Sequence, residues 1–113
     1  MQSQECVFCS IANKTLASEI LFENDDVIVI RDIMPKAPVH LLVMPKQHVE
    51  SINHLQRDQQ ALISEIIFTA KEQAMAAGVG ESGYKLVFNV GKDGGQVIPH
   101  LHLHVLGGKH MEA

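Results

Sequence analysis

The sequence predicts an α+β fold, an antiparallel five-stranded meander sheet with one long helix and a short N-terminal helix. Three observations carry that prediction. Short β-branched and apolar runs are separated by polar turns, as in hairpins and not as in repeated βαβ units. Residues 57–77 carry the one long stretch of helical periodicity. The 113 residues, 46 % of them hydrophobic, are enough for one core and too few for two, so residues 1–113 read as a single domain.

In chain order, Val7, Phe8, Ile11 and Ala12 recur at near-helical spacing and predict a short helix before a turn at Asn13-Lys14. Ile20-Leu21-Phe22 and residues 27–30 are strand-like runs divided by Glu23-Asn24-Asp25-Asp26, a hairpin with a polar turn. Pro35 and Pro38 interrupt pairing because proline has no N–H to donate, and a third strand resumes over residues 40–44. In the long helix Ala61, Leu62, Ile66, Thr69, Ala70 and Ala74 form an apolar stripe that Ile63 and Ile67 widen, with Gly78 as its stop. Residues 84–90 and 101–106 complete the sheet, joined through Gly91-Lys92-Asp93-Gly94-Gly95.

No stretch approaches the roughly 18 apolar residues of a membrane span, and Met1-Gln2-Ser3-Gln4-Glu5 lacks the basic and apolar blocks of a signal peptide. The expected location is the cytoplasm. A net charge of −4, nine Lys and Arg in all and no basic run argue against nucleic acid as a partner. Cys6 and Cys9 stand in a C-x-x-C spacing that suits either a metal or redox chemistry.

Function concentrates in His100-Leu101-His102-Leu103-His104-Val105-Leu106. Strand side chains alternate between faces, so the three imidazoles share one face and Leu101, Leu103 and Val105 take the other. Histidine has no special strand propensity, and three in register point to chemistry. Such a row can chelate a catalytic metal that activates water. Alternatively, one neutral imidazole attacks phosphorus while a neighbour hydrogen-bonds the phosphoryl oxygens. Asn89 and the turn Asp93-Gly94-Gly95-Gln96 just upstream favour the second, because glycine lets backbone N–H groups approach an anion closely.

The histidine run resembles the histidine triad (HIT) motif, His-φ-His-φ-His-φ-φ with φ apolar. Asp32-Ile33-Met34-Pro35-Lys36-Ala37-Pro38-Val39-His40 is similar to that family's Asp-Ile-x-Pro-x-Ala-Pro-x-His segment, residues 89–96 to its phosphate loop, and Gly107-Gly108 to the pair after its triad. The similarity runs from Cys6 to Gly108 and lies nearest the branch of purine nucleoside phosphoramidases. It implies that His102 is the nucleophile forming a nucleotidyl-histidine intermediate, that His104 contacts the phosphate, and that His40 and His100 orient the triad. It also implies that Asp32 binds the ribose, that Val7, Phe8, Ile11, Ile30 and Ile33 wall the base pocket, and that Asn89, Gly95, Gln96 and Val97 line the phosphate. Val97 departs from the serine common in relatives. Zinc-bearing members of the wider superfamily imply a Cys2His2 site from Cys6, Cys9, His48 and His100. A homodimer through the long helix and a sheet edge is a further implication.

The expected activity is hydrolysis of a purine nucleoside 5′-phosphoramidate or acyl-nucleotide at the α-phosphate, releasing the nucleoside monophosphate, with structural zinc and no organic cofactor. The alternatives are cleavage of dinucleoside polyphosphates, and a nucleotide-binding regulatory module whose turnover is incidental.

Overall fold

The computed structural model describes residues 6–113. Helix α1 spans Val7–Ala12, strands β1, β2 and β3 span Ile20–Glu23, Val27–Arg31 and Val39–Pro45, helix α2 spans Gln60–Ala76, and β4 and β5 span Tyr84–Phe88 and Leu103–Gly107. The five strands form one antiparallel sheet in the order β1-β2-β3-β5-β4. The expectation of five antiparallel strands with a long and a short helix therefore holds. The strand order departs from a consecutive meander in one place, where β5 lies between β3 and β4. The chain leaves β3, crosses the sheet through α2 and returns one position further out, and β5 then fills the gap beside β3.

Both faces of the sheet are covered, and the period-two pattern of the strands sorts their side chains between two cores. Val27, Val29, Leu41, Val43, Leu103 and Val105 pack with Ile66, Ala70 and Ala74 of α2 on one face. Ile28, Ile30, Leu42 and Met44 pack with Phe8, Cys9 and Ile11 of α1 on the other. Burial on both sides explains why β2 and β3 read as unbroken apolar runs.

Local chemistry sets the element ends. Asn24 Oδ1 accepts from the N–H groups of Asp26 (2.8 Å) and Val27 (2.9 Å) and closes the first hairpin. The long helix begins later than its periodicity implies, because Arg57–Gln59 form a 3-10 turn closed by a capping box between Gln56 and Gln59. Its end agrees, with Gly78 in the left-handed region at φ +84°. Strand β5 begins at Leu103, two residues after the expected start. Strand β3 stops at Pro45, which has no N–H to offer, and Leu101 donates its own N–H to Val49 O at 2.6 Å instead. Among the described residues no helix is long and apolar enough to cross a membrane.

Candidate active site and a candidate metal centre

Strands β3 and β5 pair with Leu42 opposite His104 and His40 opposite Leu106, which sets both histidines on the α1 side of the sheet. Before β5 the chain is extended without regular pairing, yet the alternation persists. Leu101 and Leu103 enter the core under α2, while Phe8 of α1 meets His100 and His102 edge-on at ring-centroid distances of 5.7 and 5.1 Å. The three imidazoles thus share a face although only His104 lies within a strand. His100 is fully buried, and His102 is 8 % exposed.

Backbone groups decide where each imidazole carries its proton. The Nδ1 of His102 lies 2.7 Å from the His100 carbonyl, which can only accept, so Nδ1 is protonated and Nε2 keeps its lone pair. His40 Nδ1 accepts the N–H of Lys36 at 3.1 Å, which leaves the His40 proton on Nε2. That Nε2–H donates to His104 Nδ1 at 2.9 Å, with Asp32 Oδ2 also near at 3.3 Å. The proton of His104 is therefore on Nε2. Toward the α1 side the pair His102 and His104 presents one bare nitrogen, on His102, beside one N–H donor, on His104, with ring centroids 5.0 Å apart.

Burial holds these imidazoles neutral. It pushes His104 down to about 4, with His102 and His40 adding to the effect, and lowers His102 and His40 against the opposing pull of Asp32.

A cleft of about 1020 Å³ opens over His102 and His104 and is lined by Phe8, Asp32, Ile33, Asn89, Gly95 and Val97. Of the other residues assigned to the base and phosphate, Val7 borders a separate groove beside Cys6 and His48, and Ile11 and Ile30 are buried in the core behind Phe8. Gln96 is bound up in the loop: its amide nitrogen donates to Glu50 O (2.7 Å) and Ile98 O (3.1 Å), and its amide oxygen accepts from Gly91 N–H (2.9 Å). The N–H groups of Gly95 and Gln96, which the sequence suggested for an anion, instead close the turn onto Lys92 O and Gly91 O, each at 3.0 Å. Asn89 commits one amide proton to Gly94 O at 2.8 Å and keeps the other. The N–H of Val97 has no hydrogen-bond partner among the described residues. Gly94 must be glycine, since a Cβ there would come within 2.3 Å of Val90 O.

Sequence reasoning passed over Met34, Pro35, Lys36, Leu42 and Ile98, which also line the cleft. Lys36 could have been found, because it lies inside the segment between Asp32 and His40. Leu42 could not, since only the β3–β5 register puts it opposite His104.

Further along the same row lies a different cluster. Cys6 Sγ is 3.2 Å and Cys9 Sγ 3.5 Å from His100 Nδ1, and His48 Nδ1 is 3.2 Å from Cys9 Sγ. All four ligand atoms lie within 4.8 Å of one another. A tetrahedral zinc with Zn–N and Zn–S bonds of about 2.0–2.3 Å requires ligand separations of about 3.3–3.8 Å, close to those present. His100 Nε2 donates to Pro45 O at 2.8 Å, so the Nδ1 facing the thiols carries a lone pair. Burial and the neighbouring Cys6 push the Cys9 thiol up to about 12, so a pair of thiolates here calls for a cation. The donor set fits zinc.

Asp32, His40 and His104 also lie within 4.8 Å of one another. They do not suit a metal. The Lys36 N–H occupies His40 Nδ1 and keeps the proton on Nε2, the nitrogen that faces the other two residues.

The family model described as "Scavenger mRNA decapping enzyme C-term binding" matches residues 5–113. The protein HitA of Neisseria gonorrhoeae is 38 % identical over 102 residues, covering 90 % of this chain and 94 % of that one. A HIT family hydrolase from Legionella pneumophila Philadelphia 1 superposes with a TM-score of 0.94 at 44 % identity, covering 96 % of each chain. A zinc-bound histidine triad family protein from Mycobacterium smegmatis gives a TM-score of 0.81 at 28 % identity, covering 96 % of this chain and 78 % of that one.

Proposed function

The chain belongs to the histidine triad family, and from that premise we propose that it is a cytoplasmic hydrolase cleaving purine nucleoside 5′-phosphoramidates or acyl-nucleotides at the α-phosphate. One observation carries the reading: the bare Nε2 of His102 stands beside the N–H of His104 at the floor of the cleft. A neutral imidazole nitrogen next to a hydrogen-bond donor is the pairing that nucleophilic attack on phosphorus requires.

In the first step His102 Nε2 forms a bond to the α-phosphorus as the bond to the leaving nitrogen or acyl oxygen breaks. The leaving group takes that electron pair, and an amine also takes up a proton from water at the open mouth. His104 Nε2–H, the second Asn89 amide proton and Val97 N–H meet the charge on the phosphoryl oxygens. Water then attacks phosphorus, its proton passes to solvent, and the electron pair of the P–N bond returns to His102 Nε2. Throughout, the His100 carbonyl holds the His102 ring, and the Lys36–His40–His104 relay holds the donor.

Bound at Cys6, Cys9, His48 and His100, zinc would cross-link α1 to the histidine row. With four protein ligands it would support the fold and leave no open position for water. Ile67, Phe68 and Met75 of α2 and Leu86 of edge strand β4 are exposed apolar residues that suit a homodimer, and light scattering at micromolar concentration should give twice the subunit mass.

The test is a substrate panel of adenosine and guanosine phosphoramidates, acyl-adenylates and dinucleoside polyphosphates, read as released nucleotide. Release of the monophosphate from the first two classes supports the proposal. Cleavage of polyphosphates alone, or tight binding without turnover, would replace it.

A further inference from the structure

One wall of the cleft, formed by Asn89, Gly95 and Val97, is built on a loop that packing does little to hold. Residues 91–95 and Val97 are exposed. Gly91 and Gly95 take left-handed φ angles of +70° and +81° and have no side chain to pack, so hydrogen bonds must hold the turn. Gln96 makes the larger share of them. Its main-chain N–H donates to Gly91 O at 3.0 Å, and its amide oxygen accepts the Gly91 N–H at 2.9 Å, so both polar groups of the Gly91 main chain end on one residue. Its amide nitrogen donates to Glu50 O at 2.7 Å and to Ile98 O at 3.1 Å. Ile98 O also accepts the N–H of His100 at 2.8 Å, and Val49 O, next to Glu50, accepts the N–H of Leu101 at 2.6 Å. Gln96 thus ties the loop to the start of the histidine row and to the 49–50 segment, which is itself bonded to that row.

We propose that Gln96 is a positioning residue, which touches no substrate and fixes the Val97 N–H against the phosphoryl oxygens of a nucleotide seated over His102. The inference rests on the hydrolase reading above. Both protons of the Gln96 amide end on carbonyls, so none is left for a phosphoryl oxygen. Val97 stands between two residues that this amide holds, and its own N–H has no partner among the described residues. With its side chain 89 % exposed, Val97 has little packing of its own to keep that N–H in place. A main-chain donor stabilises charge developing on oxygen only when it is already oriented before the reaction. Here the orientation comes from a side chain whose anchor, the Glu50 carbonyl, lies 46 residues away.

Two variants separate the bonds. Gln96→Met keeps the length of the side chain and loses all its hydrogen bonds, whereas Gln96→Glu keeps the acceptor for Gly91 N–H and loses both donations. On an adenosine phosphoramidate, kcat should fall about tenfold to a hundredfold in both, while KM changes by less than about threefold, because Phe8 and Asp32 lie elsewhere in the cleft. The second readout needs no turnover. In amide NMR of isotope-labelled protein, saturating adenosine monophosphate should move the Val97 N–H resonance downfield as it bonds the phosphate, and adenosine should not. That shift should shrink by about half or more in each variant, and Gln96→Glu carries both readouts if Gln96→Met does not fold. Normal kcat, a loss falling equally on KM, or an undiminished Val97 shift overturns the proposal. A lowered Tm with both readouts intact also overturns it, leaving Gln96 a structural tie only. Wild type that cleaves no phosphoramidate, yet shows a Val97 shift that the variants lose, supports the role of Gln96 and removes the hydrolase reading, so the two failures are distinguishable.

Discussion

Two clusters share one histidine row. Cys6, Cys9, His48 and His100 lie at one end, Asp32, His40 and His104 at the other, and each brings its ligand atoms within 4.8 Å. Measured by residue type and spacing alone, both could bind a metal. They differ in what the backbone does to the rings. At the first cluster the Pro45 carbonyl takes the proton of His100 outward, so the inward nitrogen is bare and faces thiols. At the second the Lys36 N–H turns the His40 proton inward, and that N–H donates to His104 Nδ1 and orients the ring. The lesson is that proximity of donors nominates a site, while the placement of protons decides between metal binding and acid-base or nucleophilic chemistry.

The largest test of this contrast is His102→Ala. Removing the bare nitrogen should lower kcat by about a thousandfold or more while nucleotide affinity changes little, since Asp32 and the Phe8 wall remain. A double displacement leaves configuration at phosphorus unchanged. Inversion with a chiral phosphorothioate substrate, or near-normal turnover by the variant, would falsify the assignment of His102.

At the other end, gentle purification should yield about one zinc per chain, and Cys9→Ser should lose it. Chelation should lower Tm by on the order of 10 °C, as expected when a ligand-linked fold of this size loses a few kcal/mol. A metal-free protein whose two thiols titrate freely in the native state ends the zinc reading.

A smaller effect should follow from His40→Gln, which keeps polarity but breaks the route from the Lys36 N–H to His104. An outer residue that orients a working imidazole is worth about tenfold to a hundredfold, and the loss should fall on kcat more than on KM. Equal damage to both, together with a lowered Tm, would mark His40 as structural only.

The smallest expected effect is in the pH dependence of stability. Burial holds His104 near 4, below its ordinary value of 6.5, and lowers His40 as well. Below about pH 6.5 the unfolded chain takes up protons that the folded chain refuses, so stability should be flat above that value, decline toward pH 4, and level off in this contribution below it. Urea titrations between pH 4 and pH 8 measure this. Stability that rises on acidification through that window contradicts buried neutral imidazoles.

How much could be read without coordinates differs from element to element. The hairpin turn at Asn24, the helix stop at Gly78 and the shared face of the three histidines follow from local rules, because turn chemistry and side-chain alternation act over a few residues. The resemblance supplied His48 as partner to Cys6 and Cys9, and the fold brings all four ligands together across separations of 39 to 94 residues. The placement of β5 between β3 and β4 was not legible, because apolar runs of similar composition do not state their neighbours. The side-chain partners of Gln96 were not legible for a related reason. Its amide nitrogen bonds the carbonyl of Glu50, 46 residues away, which the residues of the glycine turn do not state.

By itself the sequence determined the inventory: an α+β chain, a same-face histidine row, a cysteine pair and a glycine turn beside them. Those are consequences of residue type and short-range periodicity. Only the tertiary structure decided that His102 Nε2 and His100 Nδ1 are the bare nitrogens of the row, that the Gly95 and Gln96 backbone N–H groups are closed within their own loop, and that Lys36 lines the cleft. An imidazole's protonated nitrogen is set by whichever carbonyl or N–H the fold brings against it, and those partners are backbone atoms that every sequence possesses and only three dimensions assign.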